Sequence, residues 1–134
     1  MAMEKRRADD EHYEFPGPGG KVVIPLVSLD RREDFLMDIT RSQIKLAKVK
    51  FQNRARQIIV LLRLDVNGAP HRNPDGVEVP CPHIHVYRED YGDKWAFPIP
   101  PGKFENLDDL NMTLDDFLTE CNVIEGPIIQ AAIF

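Results

Sequence analysis

The side chains with the greatest chemical capacity lie together in Pro82-His83-Ile84-His85-Val86-Tyr87-Arg88. On an extended segment, alternation sets His83, His85 and Tyr87 on one side and Ile84, Val86 and Arg88 on the other. With Ile84 and Val86 turned to the core, two imidazoles about 7 Å apart and a phenol form a row on the opposite surface. Upstream, residues 71–82 (HRNPDGVEVPCP) contribute His71, Arg72, Asp75, Glu78 and Cys81. Anchored by the Asn67-Gly68 turn and by Pro82, that loop can fold back over the row.

Three kinds of chemistry compete for these residues. Metal-free cleavage of RNA needs one group to take the 2′-hydroxyl proton and another to protonate the leaving oxygen. It also needs a cation for the charged transition state. Histidine titrates near neutrality, so His83 and His85 suit the acid and base roles, and Arg72 or Arg63 suits the cation. The catalytic candidates are thus His83, His85, His71, Arg72 and Tyr87, with Lys45, Lys48, Lys50 and Arg63 to hold phosphates. Alternatively, the His-x-His pair chelates Zn²⁺, provided that His71, Asp75, Glu78 or Cys81 supplies a third ligand. No cofactor is otherwise expected and no metal ligand is assigned. In the third reading the rings hydrogen-bond to the loop backbone beside Trp95 and Phe97, forming a rigid platform for a protein partner.

Other motifs are poorer. Gly17-Pro18-Gly19-Gly20 lacks the Lys-Ser/Thr and the helix of a phosphate loop, and no Cys-x-x-Cys pair occurs. Asp115 and Asp116 diverge by about 100° on a helix, so they read as helix-start residues and not as paired catalytic carboxylates.

The elements that position these groups follow from pattern. The 134 residues suffice for one domain, and 43% apolar with 29% charged residues is an ordinary globular balance. Residues 1–19 read as a flexible arm ending in a Pro/Gly turn, and residues 20–134 as a single domain. Strands are expected at 21–29 (KVVIPLVSL), 35–39, 44–52, 56–65, 84–88 and 94–99, the last two forming a hairpin. In 44–52, Ile44 and Leu46 share a face with Val49 and Phe51 only if a bulge lies near Ala47, which sets Lys45, Lys48 and Lys50 opposite. Thr113 begins a helix carrying Leu114, Phe117, Leu118 and Cys121 at helical spacing, with Asp115 and Asp116 in its first turn. The apolar 128–134 segment should be a buried strand. The class is α+β: a mostly antiparallel curved sheet of about six strands with one C-terminal helix.

Charge is segregated. Residues 41–56 hold six cations and no acid, while 105–125 hold seven acids and no base, within a net charge of -5. A dipolar surface of this kind meets a polyanion on one side, a protein partner, or its own copy as a homodimer. No apolar run approaches the ~20 residues of a transmembrane helix, and residues 1–10 lack a secretory h-region. Two cysteines fit a reducing cytoplasm, so a cytoplasmic protein without membrane contact is expected.

The stretch 21–97 resembles an uncharacterised family of small bacterial proteins bearing only a domain-of-unknown-function label. The resemblance is carried by Phe51-Gln52-Asn53-Arg54-Ala55-Arg56 and by Leu62-Arg63-Leu64-Asp65. It continues in Pro70-His71-Arg72-Asn73-Pro74-Asp75-Gly76, Pro82-His83-Ile84-His85-Val86-Tyr87-Arg88 and Gly92-Asp93-Lys94-Trp95-Ala96. It implies no activity. The short Pro82–Tyr87 piece is also similar to a motif of small toxin–antitoxin-type proteins. The resulting expectation is a protein acting on RNA or another phosphate-bearing ligand through the His-rich strand and loop, as in a metal-independent toxin-type ribonuclease. The alternative is a non-enzymatic protein-interaction module of a mobile element.

Overall fold

Residues rich in β-branched and aromatic side chains build the centre of a mixed eight-stranded sheet. The computed structural model describes residues 3–45 and 47–130. In chain order the elements are β1 (Lys5–Arg7), β2 (His12–Glu14), β3 (Lys21–Ser28), β4 (Asp34–Arg41), β5 (Val49–Ala55) and β6 (Ile59–Asp65). They continue as β7 (His71–Arg72), β8 (Glu78–Val79), β9 (His83–Val86), β10 (Ala96–Pro98), α1 (Leu110–Glu120), β11 (Val123–Glu125) and β12 (Ile128–Gln130). The main sheet runs β10-β9-β6-β5-β4-β3-β1-β11, antiparallel throughout except for β1 beside β11. Two small ribbons, β2 with β12 and β7 with β8, complete it.

The class is therefore α+β with one helix, and the sheet has eight strands where about six were expected. The surplus comes from chain ends too polar to read as strands. β1 is inserted between β3 and β11, and β2 pairs with β12, so much of the segment expected to be a free arm is woven into sheets. Lys5 explains part of this. It is fully buried, its Nζ donating to Cys121 O at 2.8 Å and to Met3 O at 3.0 Å while lying 4.7 Å from the centre of the Phe35 ring. The cation thus meets the carbonyl end of α1, where the helix dipole favours positive charge. Burial nonetheless lowers its pKa.

One face of the sheet carries the core. Ile24, Met37, Ile39, Phe51 and Leu64 are almost fully buried there. The Phe51 ring sits 6.1 Å from Phe15 and 5.8 Å from Phe117, which joins α1 to the sheet. The helix starts earlier than the sequence suggests. Asp109 is its N-cap, accepting from Asn111 N and Met112 N, whereas Thr113 is a buried first-turn residue whose hydroxyl donates to Asp109 O at 2.8 Å. Asp115 and Asp116 consequently lie beyond the first turn.

The expected bulge is displaced. β5 begins only at Val49, and Ile44 is 94% exposed in the preceding turn, while Leu46 lies outside the described residues. The irregularity occurs instead in the β5–β6 pairing, where Asn53 faces Leu62 but Arg54 faces Val60, leaving Leu61 as the extra residue. The expected buried terminal strand is found only in part: β12 covers Ile128–Gln130, half-buried or exposed, and pairs with β2 in a small separate ribbon, while residues 131–134 lie outside the described ones. Among the described residues no helix is long and apolar enough to cross a membrane.

Candidate functional site

The second face of the sheet is polar, and strand register explains how. Cross-strand neighbours form one row Lys21–Thr40–Lys50–Asp65–His83 and a second row Val23–Asp38–Gln52–Arg63–His85. Over β3 to β5 this face is open, with Lys21, Thr40 and Lys50 exposed. Over β9 it is closed by the long connection that contains β7 and β8.

The closure is specific. Asn73 Nδ2 donates to Ala96 O at 3.0 Å and Asn73 Oδ1 accepts from Ala96 N at 2.8 Å. A side-chain amide here imitates a neighbouring strand on the edge of β10. The Asn73-Pro74-Asp75-Gly76 turn makes this feasible: Gly76 adopts φ 87 and its N–H donates to Asn73 O at 2.8 Å. With the turn in place, Val79 and Asn73 are buried and His71 lies edge-on to His85, ring centres 4.5 Å apart.

Beneath this cover the rings of His83 and His85 are 1% and 0% exposed. Their partners define a network. His83 Nδ1 donates to Val79 O at 3.1 Å, and His83 Nε2 stands 2.9 Å from Asp65 Oδ2. His85 Nδ1 donates to Asp93 O at 2.8 Å, which leaves Nε2 to accept from Arg63 Nη2, also at 2.8 Å. His71 Nε2 donates to Lys94 O at 2.7 Å. Each of the three rings is thus oriented by backbone carbonyls, His83 by that of Pro80 at 3.3 Å as well as by that of Val79. Arg63 forks onto Asp65, Nε to Oδ1 at 3.0 Å and Nη2 to Oδ2 at 3.2 Å, and reaches Asp93 Oδ2 with Nη1 at 3.3 Å.

Asp65 is the hub. Burial by itself pushes its carboxyl up, but contact with His85, the charge of Arg63 and the hydrogen bond from His83 outweigh that. They hold its pKa well below the ordinary 3.8. The oxygen Oδ2 is also 3.5 Å from His85 Nε2, so one carboxylate oxygen and two imidazole nitrogens converge. These three residues form a buried group able to hold a metal ion, all ligand atoms lying within 4.8 Å of one another.

The expected residues therefore separate. His83, His85 and His71 come together with Arg63. Arg72 does not join them: it is exposed on the covering hairpin, with Nε 3.4 Å from Gly76 O. Tyr87 departs as well, because β9 ends at Val86. Its N–H pairs with Leu61 O, and its ring lines an apolar depression with Met3, Phe35 and Ile59. Val86, expected in the core, is 38% exposed. Asp75 and Glu78 are exposed, away from the cluster. Lys50 is on the open face, Lys45 is exposed in the turn before β5, and Lys48 lies against the Gly68 turn.

Cys81 Sγ is 3.6 Å from His83 Nδ1 and 4.0 Å from Nε2. Such similar distances put the sulfur off the line of either ring N–H, so no thiol–imidazole proton-transfer pair is formed. Desolvation and the Asp65 charge raise the thiol pKa, again unlike an activated nucleophile. The thiol does reach a cleft of about 520 Å³ shared with Arg41, Val66, Pro82, Leu107 and Leu110.

Asp65 and Asp93 were missed as site residues. The signal for Asp65 was in Leu62-Arg63-Leu64-Asp65, where two charges recur at period two in an otherwise apolar strand. That periodicity sets both on one face, the face the histidines occupy on the neighbouring strand.

A family profile matches residues 1–123, nearly the whole chain. The chain belongs to DUF6978, a family of unknown function. Every element of the DUF6978 cluster, from β6 through the covering hairpin to β10, lies inside the matched region. No curated protein and no solved structure matches, so the six-residue toxin–antitoxin likeness gains no support.

Proposed function

We propose that the protein binds the phosphate backbone of RNA across the open face of its main sheet, with the covered histidine cluster fixing one end of that face. The observation that carries this reading is the register, which aligns Lys21, Lys50, Arg54 and Arg63 on the side opposite α1. Lys21 and Lys50, two strands apart, are separated by about 10 Å, a span that flexible lysines bridge to successive phosphates. Arg54 and Arg63 are already anchored, Arg54 by a bidentate pair with Asp38 (Nε–Oδ2 2.6 Å, Nη2–Oδ1 2.9 Å) and Arg63 by Asp65. Such arginines present their remaining N–H groups in a fixed orientation. The acids of 105–120 belong to the helical side, so charge separation orients a polyanion toward the sheet despite the net charge of -5.

Binding, and not cleavage, is the better-supported activity. His83 and His85 cannot touch a polymer while the Asn73-anchored hairpin covers them, which removes the acid and base from reach.

The test is fluorescence anisotropy with a labelled single-stranded RNA over a salt series. The Lys21→Glu/Lys50→Glu double variant should bind at least about tenfold more weakly, with a salt slope reduced by roughly one to two. Asp115→Lys/Asp116→Lys should not weaken binding. Absence of binding at low salt, or equal binding by the lysine variant, refutes the proposal. In the latter case the apolar depression around Tyr87, Ile59 and Leu61 becomes the better candidate contact, as in a protein-interaction module.

A further inference from the structure

We propose that Asp65 Oδ2, His83 Nε2 and His85 Nε2 form a transition-metal site, with Zn²⁺ as the fitting ion and Cys81 Sγ completing the set after a side-chain shift. The proposal is independent of RNA binding.

Four observations converge. First, Asp65 Oδ2 lies 2.9 Å from His83 Nε2 and 3.5 Å from His85 Nε2, separations that bracket those of donors on a tetrahedral zinc ion. Second, both histidines spend their Nδ1–H on backbone carbonyls, of Val79 and Asp93. Ligating histidines are oriented this way, because the outer hydrogen bond fixes the tautomer and aims the Nε2 lone pair inward. Third, a neutral His83 with its proton on Nδ1 would set an Nε2 lone pair against a carboxylate oxygen at 2.9 Å. Something positive must lie between them, and a proton or a metal ion both serve. Fourth, Cys81 Sγ lies outside this convergent trio but only 4.0 Å from His83 Nε2 and lines the 520 Å³ cleft, so a shift of its side chain toward Nε2 supplies the fourth ligand. A thiolate, two imidazoles and a carboxylate select zinc-like ions over Mg²⁺ or Ca²⁺, which take oxygen ligands.

The same geometry shows what an ion must displace. Arg63 Nη2 donates to His85 Nε2 and to Asp65 Oδ2, the lone pairs the ion needs. Arg63 keeps a second carboxylate at Asp93, 34% exposed, toward which the guanidinium can withdraw. Metal entry thus displaces both Nη2 bonds, takes the place of the proton held between His83 and Asp65, and deprotonates Cys81.

The test uses tag-free protein stripped with chelator, titrated with Zn²⁺ by calorimetry and with Co²⁺ by visible absorption. One zinc per chain is expected, with a tetrahedral cobalt spectrum containing a thiolate-to-cobalt band and a rise in Tm; Mg²⁺ should give neither. Cys81→Ser should lose the thiolate band and weaken zinc by about tenfold or more, and His85→Ala should abolish stoichiometric binding. Arg63→Gln removes the competing cation while keeping every ligand, so it should bind zinc more tightly than the parent. If neither the parent nor Arg63→Gln binds zinc, the site does not exist. Unchanged affinity in folded His85→Ala assigns the ion to other histidines and likewise overturns the proposal. Should His85→Ala not fold, the cobalt band and the Arg63→Gln comparison decide alone.

Discussion

Replacing Asp65 with Asn is the most searching perturbation of the cluster. The substitution keeps the volume and one oxygen but turns the other into an NH₂ donor. In the folded protein the carboxylate accepts from Arg63 Nε and Nη2 and from His83 Nε2, at 3.0, 3.2 and 2.9 Å. An amide with its oxygen toward Arg63 turns its NH₂ to His83 Nε2, which can accept it only by giving up its proton, and the reverse orientation sets NH₂ against Arg63. At least one charge-assisted bond of about 1.5–3 kcal/mol is lost, and a buried cation is left under-compensated. Arg63 retains Asp93, which limits the damage at that end. The expected total is about 3–5 kcal/mol, the usual cost of removing one partner from a buried pair. Urea unfolding at neutral pH should show it as a lower midpoint with an unchanged m-value. A second signature comes from pH. Because the folded pKa of Asp65 is depressed, its contribution is complete above the unfolded value near 3.8 and disappears as pH falls through the acid range below it. The gap between parent and variant must therefore narrow on acidification. A loss below about 1 kcal/mol at pH 7, or a gap that widens in acid, would refute the view of Asp65 as hub.

Two further outcomes test the surrounding architecture. Asn73→Ala removes two buried bonds to the backbone of Ala96, so it should cost about 1–3 kcal/mol and make His83 and His85 newly reactive toward an imidazole-modifying reagent; unchanged protection would show that the hairpin is held by other contacts. In native protein a thiol reagent should modify Cys81 and spare Cys121, whose thiol is 1% exposed with its pKa pushed up to about 12 by burial, until denaturant is added; rapid double labelling would contradict the packing of α1.

What could be read from the chain depended on whether a residue's partner was nearby in sequence. The β6 strand, the β9–β10 hairpin and the folded-back loop followed from local composition, and so did the identity of His83 and His85 as the chemical centre. Their burial did not, because the group that seals them is the Asn73 amide, paired with a strand 23 residues away. Tyr87 was misassigned because alternation was continued one residue past the end of β9, where the bulge at Leu61 redirects the chain. The N-cap moved from Thr113 to Asp109 because Asn106-Leu107-Asp108 resembles loop while Asp109 satisfies the same capping rule four residues earlier. The terminal strands were illegible in principle. β1 contains three consecutive cations, and it is a strand because its backbone pairs with β3 and β11, with Lys5 enclosed between them.

That enclosed lysine has a consequence for biosynthesis. β1 can pair with β3 early, but its outer neighbour is β11 and β2 pairs with β12, so the outer edge of β1 and the whole of β2 must wait for those later strands. Until then β1, laid against β3, presents the unprotected edge of the sheet, and the growing chain is most prone to mispairing there.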